Sequence, residues 1–352
     1  MRPGARDVEP WRSGVLQQAE DLGRWFSGRF VIDPDPSDEL VPARSMLDRD
    51  ALTAAITRKT SPTLSTTLST TLSTTLSTTL PGVPDVPEPA DNGAELDLRV
   101  AVSRFIRHYT ASLTAVALVG LSRGIGLDLS PDRCTMVVRH GLLWSLVLDV
   151  PGGEVLRCDE RPAPWPVSGA SVETLTELRE HVWRKLYAEH LWPVLGLAIE
   201  VGKISPGVVW SNAAEWPGLV RDSAEEYLGP DEAAPFVGEA VALLEAPVLP
   251  DVPAETNPLA DRFDWLDGDG EGFPEVVQTR KLCCLTYLLA DRFGRLCQTC
   301  PYLPLPERIA LVRERHGVPM GTPGGAAEQR AIERGLDRPS TRRVMGAKSK
   351  QS

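Results

Sequence analysis

Residues 98–120 read LRVAVSRFIRHYTASLTAVALVG and carry apolar residues at intervals of three and four. An α-helix completes one turn every 3.6 residues, so such intervals place these residues on one face. The residues that share the spacing are Leu98, Val102, Phe105, Tyr109, Leu113, Val116 and Gly120. We therefore predict one long helix or a pair of helices here, which sets the helical character of the fold.

The pattern changes to that of β-strands between residues 133 and 158. Residues 135–139, 143–150 and 155–157 are predicted strands, and Pro151-Gly152-Gly153 is predicted to join the last two as a hairpin. Helical patterns resume afterwards. The predicted fold is therefore α+β, mainly helical with one small antiparallel sheet and a cysteine-rich segment near the C-terminus.

Further helices are predicted on both sides of the sheet from apolar spacing and from proline and serine start signals. They cover residues 12–28, 50–59 and 172–190, then begin at Trp192-Pro193 and at Ser205-Pro206, and return at 235–245 and 306–316. Residues 251–275 hold eight carboxylates against one arginine and are predicted to form a loop.

Low-complexity sequence divides the chain. Residues 63–80 repeat Thr, Leu, Ser and Thr, a composition that cannot build a core, and a proline-rich stretch follows. We expect the ordered domain to start near Glu95 and the tail from Gly317 to be disordered. The predicted divisions are residues 1–95 (helices and linker), 96–275 (helical domain with the sheet), 276–305 (cluster-binding segment) and 306–352 (short helix and tail).

Composition excludes several classes of function. The 352 residues carry a net charge of −11, which argues against a protein that binds nucleic acid through general electrostatics. The longest apolar stretch, residues 113–121, is far shorter than the roughly 20 residues of a membrane-spanning helix. The N-terminus lacks the apolar core of a secretory signal. We expect a cytoplasmic protein, free or at the inner face of the membrane.

Two motifs have ordinary structural explanations. Gly120-Leu121-Ser122-Arg123-Gly124 matches the nucleophile elbow of hydrolases, but a helix precedes it where that motif needs a strand, so we interpret it as a helix C-terminus. The five histidines lack metal-ligand spacing. Those on predicted helices, such as His190, are interpreted as surface or hydrogen-bonded core residues.

Four of the six cysteines lie close together, as Cys283-Cys284 and, after twelve intervening residues, Cys297-Gln298-Thr299-Cys300. Four thiolates are ligands for zinc or for an iron–sulfur cluster. Adjacent α-carbons are only about 3.8 Å apart, so a single small ion would need a sharply bent backbone to bind both vicinal thiolates. The pattern favours an iron–sulfur cluster and leaves a structural zinc site open. Cys134 and Cys158 are predicted to be buried structural thiols.

The cysteine segment resembles a known family. RKLCCLTY at residues 280–287, followed by LCQTCP at 296–301, resembles the C-terminal segment of FhuF-type ferric siderophore reductases. ISPGVVWSNAA at residues 204–214 resembles a tryptophan–asparagine segment of that family, shared loosely with the C-terminal part of IucA/IucC-like siderophore synthetases. The twelve-residue spacing departs from the family, which more often has about ten residues there.

The resemblance implies that Cys283, Cys284, Cys297 and Cys300 hold one 2Fe–2S cluster. It implies one-electron reduction of an Fe(III)–siderophore complex, with an unidentified electron donor. We favour hydroxamate siderophores, whose ferric complexes are neutral or cationic. Acidic residues precede the cluster segment and would repel anionic complexes. Candidate substrate contacts are Trp210, Asn212, Arg280 and Lys281. The alternative is a non-redox zinc or scaffold protein related to siderophore biosynthesis or uptake.

Overall fold

The computed structural model describes residues 38–57, 97–139, 142–148, 155–164, 166–167, 169–267, 276–288, 296–297 and 299–315. Its helices are α1 (Arg49–Thr57), α2 (Leu98–Ser122), α3 (Leu175–Trp183), α4 (Trp192–Gly202), α5 (Pro206–Ala213), α6 (Glu215–Leu228), α7 (Pro230–Glu245) and α8 (Leu305–Arg315). Its strands are β1 (Glu39–Pro42), β2 (Ile125–Leu127), β3 (Cys134–Arg139), β4 (Leu142–Leu148), β5 (Val155–Cys158), β6 (Ala170–Val172), β7 (Phe263–Asp267) and β8 (Val276–Arg280). The predicted mainly helical α+β class is confirmed.

Helix α2 is the central element of the core. Twenty of its 25 residues are buried, and it contacts every helix from α1 to α7. Asp97 caps its N-terminus, because the side chain accepts a hydrogen bond from the Arg99 N–H at 2.9 Å. A helix that is buried on nearly all sides must be surrounded by other elements, as α2 is.

The helices after the sheets largely follow the sequence prediction. Helix α5 begins at Pro206 as predicted, although the Ser205 side chain makes no capping hydrogen bond. Helix α7 begins at Pro230, five residues before its predicted start.

Within the described ranges, no helix is long and apolar enough to cross a membrane.

The predicted break near His190 is wrong. Helix α3 continues through a π-helical segment, Arg184–Leu191, directly into α4. At the junction the Trp192 N–H donates to the Tyr187 carbonyl, five residues earlier. Because Pro193 has no N–H to donate, the hydrogen-bond pattern changes there while the helix continues.

In the described part of the chain the strands form three small sheets, where one was predicted. Strand β3 lies between β1 and β4, with antiparallel pairing on both sides. Strand β5 pairs antiparallel with β2 and parallel with β6. The predicted hairpin between residues 143–150 and 155–157 is wrong, because β4 and β5 belong to different sheets. The partner of β5 comes from the end of α2, where Gly124, at φ 69°, turns the chain directly into β2.

The acidic stretch over residues 251–275 is not all loop. Strand β7 lies inside it and pairs antiparallel with β8, with Phe263 opposite Arg280. Residues 268–275 lie outside the described part of the chain. The pairing fixes β8, and Arg280 at its end leads directly into the cysteine segment.

The N-terminal segment contributes to the same core as the rest. Strand β1 pairs with β3, and Leu52 and Ile56 of α1 are buried in the main apolar cluster. A boundary near residue 95 therefore does not separate residues 39–57 from the helical domain. The predicted helix at 12–28, the repeat at 63–80 and the tail from Gly317 lie outside the described residues.

The end of α2 explains the elbow-like motif. Ser122 is the last residue of α2, and its hydroxyl donates to the Val119 carbonyl of the same helix at 2.8 Å. The hydroxyl is buried and already bonded. The interpretation of this motif as a helix C-terminus is confirmed.

Candidate metal centre

Two separate loops bring the four clustered cysteines together. Cys283 and Cys284 follow β8, and Leu285 then adopts a left-handed conformation (φ 60°) that turns the chain. Cys297 and Cys300 lie in a second turn, in which the Cys300 N–H donates to the Cys297 carbonyl at 2.9 Å. Both turns are needed, because neither pair can meet the other along an extended chain.

The two cysteine pairs meet at one sulfur–sulfur contact. The sulfur of Cys284 lies 3.8 Å from that of Cys297. The thiols of Cys283 and Cys300 lie close enough to this contact to influence the ionisation of Cys284 and Cys297. All six cysteines of the chain are free thiols. Cys134 and Cys158 are buried in the main core, as predicted, and the binding of one metal group by the other four stays a prediction.

The donor set and one sulfur–sulfur distance fit a metal group. Two thiolates bound to one tetrahedral ion at about 2.3 Å lie about 3.8 Å apart, which is the Cys284–Cys297 separation. Among the described residues, no group of three or more His, Cys, Asp or Glu side chains is already arranged to hold a metal ion. The thiols therefore meet in pairs, and a bound metal would draw the pairs together.

The close approach of the four thiols shifts their pKa values in opposite directions. Interaction with Cys283 and Cys297 lowers the pKa of Cys284 and of Cys300. Interaction with Cys284 and Cys300 raises the pKa of Cys283 and of Cys297. Thiols this close do not ionise independently of one another.

A chain of buried polar groups attaches the first cysteine loop to the helical core. Ser103 of α2 donates its hydroxyl to the Cys284 carbonyl. Asn212 of α5 donates to the Ser103 hydroxyl at 2.8 Å and accepts from Arg280 Nη1 at 2.9 Å. The backbone N–H of Arg280 donates to the Thr299 carbonyl at 2.8 Å, which joins the second cysteine loop to the same network.

An ion-paired carboxylate lies beside this network. Glu215, at the start of α6, accepts hydrogen bonds from Arg107 Nε at 2.5 Å and from Arg107 Nη2 at 2.7 Å. Arg280 Nη2 also lies 2.5 Å from Glu215, at an angle that makes an ion pair but no hydrogen bond. Burial raises the pKa of Glu215, but Arg107 and Arg280 outweigh it and leave the pKa below the ordinary value. Glu215 is therefore an anion in the folded protein.

A third arginine supports the second loop from the opposite side. Arg308 of α8 is 1% exposed. Its Nη2 donates to the Cys300 carbonyl at 2.5 Å and to the Leu303 carbonyl at 2.9 Å. Its Nη1 donates to the Gln278 carbonyl of β8 at 3.2 Å. Arg308 therefore links α8, β8 and the loop that carries Cys300.

The predicted substrate residues have different environments. Trp210, Asn212 and Arg280 are buried, and Trp210 packs against Trp192 with ring centroids 5.6 Å apart. Lys281 is partly exposed and pairs with Asp261 at 2.5 Å. Asn212 and Arg280 thus hold the cysteine loops in place, and substrate contact by any of the four stays a prediction.

Sequence reasoning missed several residues of this network. They are Ser103, Arg107, Glu215 and Arg308, which come from α2, α6 and α8. Ser103 and Arg107 are two of several polar residues of α2, which also include Arg104, His108 and Thr110, so the sequence alone does not single them out. The fold and the site together define a mainly helical α+β protein with a buried, arginine-flanked group of four cysteines.

Comparisons with known proteins identify no family for the chain. No family model matches it, and no curated protein matches it. Among solved structures it is similar to the aerobactin synthetase IucC from a hypervirulent pathotype of Klebsiella pneumoniae. The sequence identity is 13% and the TM-score 0.42, over 64% of this chain and 38% of that one. The chain thus spans well under half the length of that synthetase.

Proposed function

We propose that the protein is a ferric siderophore reductase that holds a 2Fe–2S cluster through Cys283, Cys284, Cys297 and Cys300. The observation that carries the proposal is the contact between the two cysteine pairs, with the sulfurs of Cys284 and Cys297 3.8 Å apart. Four thiolates at irregular spacing are the usual ligand set of such a cluster. The resemblance of the cysteine segment to FhuF-type reductases adds the substrate class.

The reaction moves one electron and breaks no covalent bond. A low-potential one-electron donor supplies the electron, and the Fe³⁺ held by the siderophore becomes Fe²⁺. Hard oxygen ligands hold Fe²⁺ far more weakly than Fe³⁺, so reduction releases the metal. When bound, a plant-type cluster with four thiolate ligands supplies electrons singly at roughly −400 mV.

The chain's own residues shield and orient the centre. Cys283, Cys284 and Cys300 are buried, whereas Cys297 is partly exposed. A siderophore or a donor protein therefore comes closest at the Cys297 side. Ser103 and Asn212 fix the loop of Cys284 against α2 and α5, so the distance between centre and surface is set by the helical core.

The zinc alternative rests on the same distance. Two thiolates on a tetrahedral zinc ion would also lie about 3.8 Å apart, as the sulfurs of Cys284 and Cys297 do. A zinc site would fasten the two loops together and would perform no electron transfer. Metal content and reduction chemistry separate the two functions.

Single-turnover reduction tests the proposal. The full-length protein is reconstituted with iron and sulfide without oxygen, reduced with dithionite, freed of excess dithionite and mixed with a ferric hydroxamate and a ferrous chelator. We expect one Fe²⁺ per reduced cluster, with no Fe²⁺ from Cys284→Ser treated identically. The matched control Cys158→Ser, at a buried cysteine outside the group, should behave like the wild type. A reduced cluster that transfers no electron to any ferric hydroxamate would overturn the reductase function.

A further inference from the structure

Glu215 is a buried carboxylate held between two guanidinium groups next to the cysteine loops. It is 5% exposed, and both of its oxygens are bound by Arg107 at 2.5 and 2.7 Å. Arg280 lies 2.5 Å from the same carboxylate. Two cations and one anion leave one net positive charge in this group.

That charge lies close to two of the four cysteines. Arg107 interacts electrostatically with Cys284 and Cys297, and Arg280 interacts with the same two thiols. A third cation, Arg308, interacts with Cys300 and Cys297. Interactions between charges are stronger in a buried environment than in water, because the effective dielectric constant is lower.

We propose that Arg107, Glu215 and Arg280 form a charge-setting network that tunes the reduction potential of the centre, with Glu215 as the positioning residue for both arginines. This inference rests on the proposed function. Four thiolates, two sulfides and two ferric ions carry two net negative charges, and reduction adds a third. A fixed positive charge therefore stabilises the reduced form more than the oxidised form.

The network predicts whether each substitution raises or lowers the reduction potential. Loss of the Arg107 charge removes a cation and lowers the potential, whereas neutralisation of Glu215 removes an anion and raises it. Arg107 is the better first target, because its side chain is 21% exposed and its replacement leaves no sealed cavity. Arg280 also bonds Asn212 and Thr299, so its replacement would disturb both loops.

A redox titration of the reconstituted full-length protein, followed by visible absorption, tests the network. We expect Arg107→Gln to lower the equilibrium constant for reduction about tenfold, which is about 59 mV for one electron. Glu215→Gln should raise it by a similar factor, and Arg107→Lys should restore it to within about threefold of the wild type. Loosened packing would not move the two neutral variants in opposite directions.

A second buried carboxylate provides the matched control. Glu239, on α7, is held between Arg161 and Arg179, each at 2.7 Å, and Arg179 interacts electrostatically with Cys158. Glu239→Gln should leave the potential unchanged. The inference would be overturned if Arg107→Gln and Glu215→Gln, each with wild-type cluster content, shifted the reduction potential in the same direction or left it unchanged. Such a result would leave the proposed function intact. If Glu215→Gln fails to fold, Arg107→Gln against Arg107→Lys decides it. A wild-type protein that binds no cluster would instead overturn the proposed function and this inference with it.

Discussion

The hydroxyl of Ser103 donates a hydrogen bond to the carbonyl of Cys284, which lies 181 residues later in the chain. Ser103 is a fully buried residue in the second turn of α2, so the central helix directly holds the first cysteine loop. The hydroxyl also accepts the Asn212 amide at 2.8 Å. One small side chain thus connects α2, α5 and the candidate metal centre.

Replacement of Ser103 should therefore destabilise the protein and loosen the loop. Ser103→Ala leaves the Cys284 carbonyl and the Asn212 amide without this partner, which costs about 1–3 kcal/mol when the groups stay buried. Urea unfolding measures the loss. Ser122→Ala is the matched control, because that hydroxyl bonds only its own helix at 2.8 Å, and it should cost clearly less. Equal losses for both variants would contradict the tethering role.

The four clustered cysteines should behave differently from the remaining two. Serine at Cys283, Cys284, Cys297 or Cys300 removes one thiolate ligand and should abolish or degrade the visible absorption of the reconstituted protein. Serine at Cys134 or Cys158, both buried outside this cluster, should preserve it. Retention of normal absorption by any of the first four variants would show that the ligand set is misassigned.

His190 should make stability fall in mild acid. Its Nδ1–H donates to the Leu129 carbonyl at 2.6 Å, so Nε2 accepts from the Tyr109 hydroxyl at 2.5 Å. This confirms its interpretation as a hydrogen-bonded core histidine. Complete burial lowers the pKa of His190 to about 4.

Because the unfolded chain binds a proton on this histidine near pH 6.5, the unfolded state gains protons first as the pH falls. Stability should drop by about 2 kcal/mol between pH 7.5 and 5 on account of His190 alone. Urea unfolding of the wild type and of His190→Gln at both pH values measures the effect as a double difference. The variant should be less stable at pH 7.5 and lose about 2 kcal/mol less on acidification. An identical pH dependence in both proteins would contradict the account.

Acidic residues before the cysteine segment should favour cationic substrates. Asp251, Glu255, Asp261 and Asp264 are exposed, and Lys281, next to the cysteine loop, pairs with Asp261 and Asp264. A negative surface attracts cations, and salt weakens the attraction. A cationic ferric hydroxamate should be reduced faster than an uncharged one at low salt, with the advantage reduced at high salt.

Charge removal tests whether this stretch is responsible. The variant with Asp267→Asn, Asp269→Asn and Glu271→Gln should lose the advantage of the cationic substrate. The control variant with Asp231→Asn, Glu232→Gln and Glu245→Gln removes three charges from the exposed side of α7 and should keep it. Equal, salt-independent rates in the wild type would contradict substrate steering.

Local patterns predicted the elements that depend on local sequence. The spacing from Leu98 to Gly120 is that of α2, and Ser205-Pro206 marks the start of α5. The grouping of the four cysteines was predicted from their spacing, because vicinal and Cys-x-x-Cys thiols are a recognisable ligand pattern, and their binding of one metal group stays a prediction. These features need only neighbouring residues, so one sequence suffices to predict them.

The sheets and the charged network depend on long-range pairing, which local patterns do not encode. Strand β2 has only three residues, Ile125–Leu127, too few for a period to be seen, and without it β5 was paired with the wrong strand. Glu215 and Arg107 are ordinary surface-type residues in sequence. Only the packing of α6 against α2 buries them beside the cysteines.

Metal analysis of protein purified without oxygen decides whether the four cysteines hold a redox-active iron–sulfur cluster. Iron, sulfide and zinc are measured per chain, together with the paramagnetic resonance spectrum before and after dithionite. We predict about two irons and two sulfides per chain, no stoichiometric zinc, and a paramagnetic signal that appears on one-electron reduction. A colourless protein with one tightly bound zinc ion and no signal would show that the cysteines hold no such cluster.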